Sequence, residues 1–248
     1  MGATPSRVRI PPSPPGIIAC YNRAMNVIEL KKIHKSFPTG DEKTVALKDV
    51  SLAIKTGEFV AIMGPSGSGK STLMNIIGLL DSATSGDYLL DGVNARKLSD
   101  RAQARLRREK IGFVFQSFNL LPRLTLQQNV ELPMTYRGIK PKARAKSAEV
   151  LLKQVGIADR AGYKPSQISG GQLQRAAIAR SLANKPSLIL ADEPTGNLDS
   201  KSGQAIMNLL TKLNQHGVTV VVVTHDQTIA RFAKRIVRMR DGQIEESK

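Results

Sequence analysis

Apolar residues along most of the chain follow the two periods of regular secondary structure. Short runs rich in β-branched residues alternate with longer segments whose apolar residues have helical spacing. The predicted buried strands are Glu58–Met63, Ile111–Phe115, Ser187–Ala191 and Val218–Thr224, and the predicted helices are Thr72–Leu80, Leu98–Lys110, Leu173–Leu182, Ser200–Leu213 and Asp226–Lys234. Strands alternating with helices favour an α/β fold with a mostly parallel sheet, whose functional groups lie at the carboxyl ends of the strands.

Three regions depart from this alternation. Residues 26–90 read mostly as strands and turns, with separate strands at Asn26–Ile33, Val45–Leu47 and Val50–Ile54. Residues 124–155 have helical spacing that we expect Pro133 and the segment 138–141 to break, which indicates a helical insert. Residues 237–244 predict a terminal hairpin around the turn pair Asp241–Gly242, and we find no internal repeat.

The beginning of the chain differs in composition from the remainder. Prolines at positions 11, 12, 14 and 15 cannot join a helix or a central strand, so residues 1–24 are predicted to be a disordered leader. The segment ending in Cys20 matches a lipoprotein cleavage site only by chance, since prolines replace the apolar run that a signal peptide requires. Our hypothesis is that translation begins at Met25, so that the domain spans residues 25–248.

Composition narrows the class of protein. A chain of 248 residues with 41% hydrophobic content can bury a large core, and a single cysteine excludes a disulfide framework. No apolar run approaches the roughly 18 residues of a membrane-spanning helix. The formal charge of +17 indicates an anionic membrane surface or nucleic acid as a partner. We favour the membrane surface, because 4% aromatic content and no tryptophan leave few platforms for stacking bases.

The segment Gly64–Ser71 fits G-x-x-x-x-G-K-[ST], the phosphate-binding loop of nucleotide hydrolases. It stands between a predicted strand and a predicted helix that starts at Thr72, which is the context that this motif needs. The glycines let successive N–H groups face an anion, and the helix N-terminus adds positive potential. We expect Lys70 to reach the β- and γ-phosphates of a nucleotide and the Ser71 hydroxyl to bind Mg²⁺. The predicted nucleotide-binding residues are Gly64, Pro65, Ser66, Gly67, Ser68, Gly69, Lys70, Ser71 and Thr72.

Polar side chains close the predicted strands near this loop. Asp192 could hold Mg²⁺ directly or through water, and Glu193 is the candidate to polarise the attacking water. Gln116 and His225 could reach the γ-phosphate side, and Gln116 is also a candidate Mg²⁺ ligand. An Asp-Glu pair at a strand end is commonly a solvated loop, and a lone histidine is more often structural. Their convergence beside a phosphate loop favours the catalytic interpretation.

The order of these motifs resembles that of an ATP-binding subunit of the ABC transporters. The resemblance covers about residues 25–245 and rests on the phosphate loop, Gln116, Ile168–Gln172, Leu188–Glu193, Asn197–Asp199 and His225. It implies a P-loop NTPase core with an antiparallel β subdomain and a helical subdomain at about residues 117–183. Ile168 stands where the family usually has leucine, and Phe37 where it usually has tyrosine. Both keep the apolar or aromatic character of the position.

The resemblance implies a homodimer in which two subunits close head to tail. ATP would lie between the Lys70 loop of one subunit and Ser169, Gly170, Gly171 and Gln172 of the other. Phe37 would stack on adenine, Asp199 would cross the interface, and His225 would sense the γ-phosphate. Gln116 would couple the site to a multi-pass membrane permease.

Within the family, Gly57–Gly64, Leu80–Gly86, Phe115–Pro122 and Leu126–Pro133 look like the macrolide-exporter and lipoprotein-releasing group, with MacB-, LolD- and FtsE-like members. The implied function is an ATPase that drives an exporter or a lipoprotein- or peptide-extruding permease, peripheral to the cytoplasmic face of the inner membrane. Two alternatives stay open. One is an ATP-gated envelope signalling subunit that controls a cell-wall enzyme without transport. The other is a nucleic-acid-linked ATPase, which we disfavour because no second ATPase domain or long insertion is present.

Overall fold

Two β-sheets and seven α-helices form the described part of the chain. The computed structural model describes residues 26–39 and 42–247, so the predicted leader and Met25 lie outside the described residues. The central sheet comprises β3 (Phe59–Met63), β6 (Ile111–Val114), β7 (Leu188–Asp192), β8 (Thr219–Thr224), β9 (Arg235–Arg240) and β10 (Gln243–Ser247). Their spatial order is β10–β9–β3–β8–β7–β6, and every neighbouring pair is parallel except β10 with β9. The predicted, mostly parallel sheet is confirmed.

A second, antiparallel sheet covers one side of the molecule. It comprises β1 (Asn26–Thr39), β2 (Glu42–Lys55), β4 (Ser85–Leu90) and β5 (Val93–Asn94), in the order β2–β1–β4–β5. The helices are α1 (Lys70–Ile77), α2 (Asp100–Lys110), α3 (Leu126–Tyr136), α4 (Pro141–Gln154), α5 (Gly170–Ser181), α6 (Ser200–Gln215) and α7 (Gln227–Ala230).

Alternating side chains of the central strands divide the core into two layers. Val60 and Ile62 of β3 pack with α1 and the antiparallel sheet, whereas Phe59 packs with α3, α4, α5 and α6 on the opposite face. Neighbouring residues of a strand point to opposite faces, and both faces of β3, β6, β7 and β8 are covered, so every β-branched residue of these four strands is buried. Helices α1 and α5, which carry the two predicted phosphate-binding segments, therefore lie on opposite faces of one sheet.

Several predicted boundaries were wrong. Pro133 lies inside a continuous α3, because this helix is held by the buried Leu126, Val130 and Met134. The two strands predicted at 45–47 and 50–54 form one strand, β2, which passes Asp49 with a positive φ of 50°.

The helix predicted over Asp226–Lys234 is only four residues long. Asp226 caps it by accepting a hydrogen bond from the Thr228 N–H at 2.6 Å. The Lys234 N–H then donates to the Phe59 carbonyl at 3.0 Å, which draws the chain into β9 beside β3. Among the described residues, no helix combines the length and apolar character needed to cross a membrane.

Candidate functional site

The phosphate loop leaves a helix N-terminus open to an anion. Gly67 and Gly69 have φ of 78° and 94°, in the left-handed region that favours glycine. Gly69 is the N-cap of α1 and offers no side chain to the first N–H groups of the helix. The Lys70 ammonium donates to the carbonyls of Gly64 and Pro65 at 2.6 and 2.7 Å, so it already lies across the loop. Free N–H groups and a cation over a curled backbone suit a phosphate chain.

Segments remote in sequence hold the loop in shape. A Cβ on Gly64 would lie 2.3 Å from the Met239 carbonyl oxygen, and one on Gly69 would lie 2.7 Å from that of Ala46. The Gly242 N–H donates to the Ser68 carbonyl at 3.2 Å. The terminal hairpin and β2 are thus part of the site's support. The sequence predicted the hairpin turn, confirmed by positive φ at Asp241 and Gly242, but gave no sign of this role.

Ser68 supplies an independent indication of a ligand. Its side chain is buried, and its hydroxyl oxygen has no hydrogen-bond partner among the described residues. A buried polar group without a partner is costly unless something binds it. Its place inside the phosphate loop fits a nucleotide phosphate.

The predicted catalytic carboxylates follow β7 at the same sheet edge. Asp192 is the last residue of β7, and Glu193 follows with a φ of 41°, which is rare for a residue other than glycine. The Glu193 N–H donates to the Val223 carbonyl at 2.9 Å and so fixes this turn against β8. Burial, and next the charge of Glu193, raise the pKa of Asp192, whereas the Lys70 ammonium opposes the rise. Asp192 and Lys70 therefore act on each other electrostatically.

His225 meets Glu193 directly. The exposed His225 follows β8, and its Nδ1 lies 2.6 Å from Glu193 Oε1. When Nδ1 carries the proton, it donates this hydrogen bond and orients the carboxylate. The structure thus brings together two residues that the sequence analysis predicted separately. His225 as a γ-phosphate sensor stays a prediction.

Gln116 lies against the segment that follows Glu193. Its side-chain amide donates to Asn197 Oδ1 at 3.3 Å, and the Asn197 amide donates to the Gln116 carbonyl at 3.1 Å. A Cβ on Gly196 would lie 2.6 Å from Gln116 Nε2, so the glycine makes room for this packing. The predicted roles of Gln116 toward the γ-phosphate side and Mg²⁺ stay predictions.

Gln174 is a functional candidate that the sequence analysis missed. It is fully buried on α5, and its amide donates to the Pro194 carbonyl at 2.7 Å and to the Phe115 carbonyl at 3.4 Å. These carbonyls belong to the residues next to Glu193 and Gln116. A glutamine in an apolar-periodic helix looks like a solvated position in sequence, so only the packing reveals this link.

The Ser169–Gln172 segment forms the N-terminus of α5. The Ser169 hydroxyl accepts from the Gln172 N–H at 3.4 Å, and Gln172 Oε1 accepts from the Ser169 N–H at 3.0 Å, which is a capping box. A Cβ on Gly170 would lie 3.2 Å from the Leu198 side chain, and one on Gly171 would lie 3.2 Å from Ser202 Oγ. The segment therefore packs beside the start of α6, whereas the phosphate loop packs against β2 and the terminal hairpin.

Phe37 is an exposed aromatic residue on the β1–β2 ribbon. Its exposed fraction is 39%, and it pairs with Thr44 of β2. Because Ala46, two residues beyond Thr44, approaches the Gly69 end of the phosphate loop, Phe37 stands close to the loop along the ribbon. An exposed aromatic next to an anion site suits the base of a nucleotide.

The donor set also fits Mg²⁺. The hydroxyl of Ser71, the carboxylate of Asp192 and the amide oxygen of Gln116 are all oxygen ligands, which Mg²⁺ prefers. Within residues 26–39 and 42–247, no group of three His, Cys, Asp or Glu side chains could hold a metal alone. Mg²⁺ is usually bound by one or two carboxylates together with substrate phosphates and water.

Comparison with known proteins agrees with this geometry. A family model described as ABC transporter matches residues 47–196. The ABC transporter ATP-binding protein YvrO of Bacillus subtilis is 54% identical over 218 residues, covering 88% of this chain and 95% of the relative. The macrolide export ATP-binding/permease protein MacB of Escherichia coli K12 is 52% identical over 218 residues, but these cover only 34% of MacB.

A solved structure has the same fold. It is a dimer of the ATP-binding cassette MJ0796 in a post-hydrolysis state bound to ADP and Pi. The TM-score is 0.82 at 51% identity, over 89% of this chain and 97% of that one. The MJ0796 sequence, from Methanocaldococcus jannaschii, is 55% identical over 224 residues, which cover 88% of this chain and 95% of the relative. Given its open phosphate loop, its carboxylates at the sheet edge and these matches, the chain belongs to the ABC transporter family as one of its ATP-hydrolysing, ATP-binding domains.

Proposed function

We propose that Glu193 is the base of the ATPase and that His225 orients it. The Glu193 carboxylate accepts a hydrogen bond from the attacking water, while the Nδ1–H of His225 donates to Glu193 Oε1 at 2.6 Å. Lys70 leaves the Gly64 and Pro65 carbonyls for the β- and γ-phosphates, and the loop N–H groups and Ser68 hydroxyl bind the remaining phosphate oxygens. Mg²⁺, held by Ser71, Asp192 and Gln116, would neutralise phosphate charge.

Two copies of the chain complete each ATP site. The observation that carries this proposal is the position of α1 and α5 on opposite faces of the central sheet. The Ser169–Gln172 cap therefore meets a phosphate loop when a second subunit turns head to tail. The dimeric MJ0796 structures have the same fold and support this arrangement. Phe37 supplies the platform for adenine.

Two variants test the shared site. Glu193→Gln should bind ATP but stop turnover, so that sedimentation detects an ATP-dependent dimer. Ser169→Arg should leave ATP binding by the monomer intact and prevent that dimer, because an arginine replaces the cap at the closing surface. Exposed Ser147 on α4 offers the matched control, Ser147→Arg, which should still dimerise. Full ATPase activity of Ser169→Arg would refute the shared site.

A basic groove is the candidate docking surface for a membrane permease. It encloses about 1300 Å³ between α2, α3 and α5, beside Phe113 and Phe115, which lead into Gln116. Its lining includes six arginines and a single acidic residue, Glu109. An apolar floor with a cationic rim fits a cytoplasmic permease segment that carries carboxylates. This groove also accounts for part of the charge of +17 and agrees with a peripheral position at the inner membrane.

Co-purification tests the permease. The protein isolated in mild detergent should bring down a multi-pass membrane protein and no RNA or DNA. Arg101→Glu with Arg105→Glu should release that protein while leaving ATPase activity of the isolated dimer unchanged, because neither side chain contacts the phosphate loop. The cargo then follows from transport by the recovered complex in vesicles, and an exporter or extrusion system is the expectation from the MacB relatives.

A further inference from the structure

Lys35 has an unusual environment for a lysine on an exposed ribbon. Its side chain is only 12% exposed. Its ammonium donates to Asp81 Oδ1 at 2.7 Å and to the Ser82 carbonyl at 2.8 Å. The same nitrogen lies 4.7 Å from the centroid of the Phe37 ring. A long, flexible side chain is thus fixed at three points, which costs rotamer entropy that the contacts must offset.

The ammonium covers one face of the aromatic ring and leaves the ring accessible from elsewhere. A cation within about 6 Å of a ring centroid is attracted by the electrons of the ring face. Phe37 nevertheless remains 39% exposed, and its partner Thr44 is two residues from Ala46, which approaches the phosphate loop at Gly69. The side of the ring that Lys35 occupies is therefore closed to a base, and a flat ligand must use the other.

Asp81 connects this contact to the helix of the phosphate loop. The Asp81 N–H donates to the Asn75 carbonyl at 3.2 Å, so Asp81 is fastened to the end of α1. The other end of α1 begins at Lys70 in the phosphate loop. The Lys35–Asp81 pair consequently links the aromatic ring to the same helix that presents N–H groups to the phosphates.

We propose that Lys35 is a positioning residue for the purine base, and this rests on the proposed role of Phe37 as the adenine platform. Lys35 holds the Phe37 ring at a fixed angle and distance from the phosphate loop. Base and phosphates can then bind together without first ordering the ring. The contribution of Lys35 is accordingly specific to ligands that contain a base.

The test compares Mg-ATP with Mg-tripolyphosphate, which lacks the base and ribose. Lys35→Met keeps the length of the side chain and removes its charge. It should raise the Kd for Mg-ATP about three- to tenfold, the range expected when one side chain must be ordered during binding. The Kd for Mg-tripolyphosphate should stay within about twofold. Lys35→Arg keeps the cation over the ring and should restore ATP binding. Lys31→Met, on the same strand but 64% exposed, is the matched control and should bind both ligands normally.

A second pair of variants guards against a folding defect. Asp81→Asn keeps the lysine but weakens its anchor, and should show a smaller loss with the same preference for ATP. In a Phe37→Ala background, Lys35→Met should cause no further loss, because the ring that it positions is gone. Unchanged ATP affinity of Lys35→Met, or an equal loss for both ligands, overturns the proposal. If Phe37→Ala itself leaves the ATP Kd unchanged, the adenine platform fails together with Lys35, whereas the phosphate-loop assignment stands.

Discussion

Replacing Gly69 by alanine should destabilise the nucleotide-free protein more than the same change at Gly67. Both residues have positive φ, which costs an L-residue about 1–2 kcal/mol, and alanine recovers about 0.4–1 kcal/mol by stiffening the unfolded chain. The difference lies in the surroundings. A Cβ on Gly67 meets no atom within 4 Å, whereas one on Gly69 lies 2.7 Å from the Ala46 carbonyl oxygen and 2.9 Å from Leu47 Cδ2.

The overlap at Gly69 cannot be relieved by a side-chain rotation alone. The atom that a Cβ on Gly69 would meet is the backbone carbonyl oxygen of Ala46 in β2. This carbonyl also lies against Gly242 of the terminal hairpin. Overpacking of this kind costs about 1–3 kcal/mol. We therefore expect Gly67→Ala to lower the free energy of unfolding by about 1 kcal/mol and Gly69→Ala by about 2–4 kcal/mol.

Urea unfolding without nucleotide is the appropriate assay, because it separates loop support from phosphate binding. The m-value should be equal in the two variants, so that the midpoint reports stability. A domain of ordinary stability tolerates either loss and remains folded. Equal destabilisation of the two variants, or a larger loss for Gly67→Ala, would refute the argument that β2 and the terminal hairpin brace the loop.

Three further changes test other parts of the site. Burial raises the pKa of Asp192, so above the ordinary value of 3.8 the ionisation of this carboxyl destabilises the folded state. In denaturation curves measured over a pH series, the free energy of unfolding of Asp192→Asn should therefore exceed that of the parent at pH 7 and lose this advantage as the pH falls below about 4. The free energy of unfolding of this variant should also no longer increase when Mg-ATP is added. Tyr88→Phe removes the hydroxyl that donates to the buried Ile77 carbonyl at 2.7 Å and should cost about 1–3 kcal/mol in urea unfolding, whereas no loss would mean that this carbonyl finds another partner. Gln174→Leu should lower kcat on the order of tenfold or more while the Kd for ATP changes little, and loss of binding instead would contradict a positioning role.

The sequence was sufficient for the residues whose role depends on local pattern. The phosphate loop needs a strand, glycines and a helix in direct succession, so Gly64–Ser71 could be located from letters alone. Asp192 and His225 could be placed at one edge because parallel strands end on the same side of a sheet.

Residues whose role depends on distant contacts could not be found this way. The Gly242 bond to Ser68 spans most of the chain, and the Lys35 contact with Asp81 joins a strand to the end of a helix. Helix α7 was predicted too long because pairing of β9 with β3, and not local propensity, decides where it ends. Pro133 was taken as a helix breaker because tertiary packing, which outweighs the loss of one backbone hydrogen bond, is invisible in sequence.

The buried amide of Gln174 has a consequence for timing. It donates to the backbone carbonyls of Phe115 and Pro194, next to Gln116 and Glu193. It also lies on α5, the helix whose exposed N-terminus is the Ser169 cap. Because α5 is one continuous helix, a displacement of its N-terminus also moves Gln174 and the two carbonyls that Gln174 binds. Binding of a second subunit at the Ser169 cap and alignment of the hydrolytic groups would thus occur together. ATP would then not be hydrolysed before the dimer has formed.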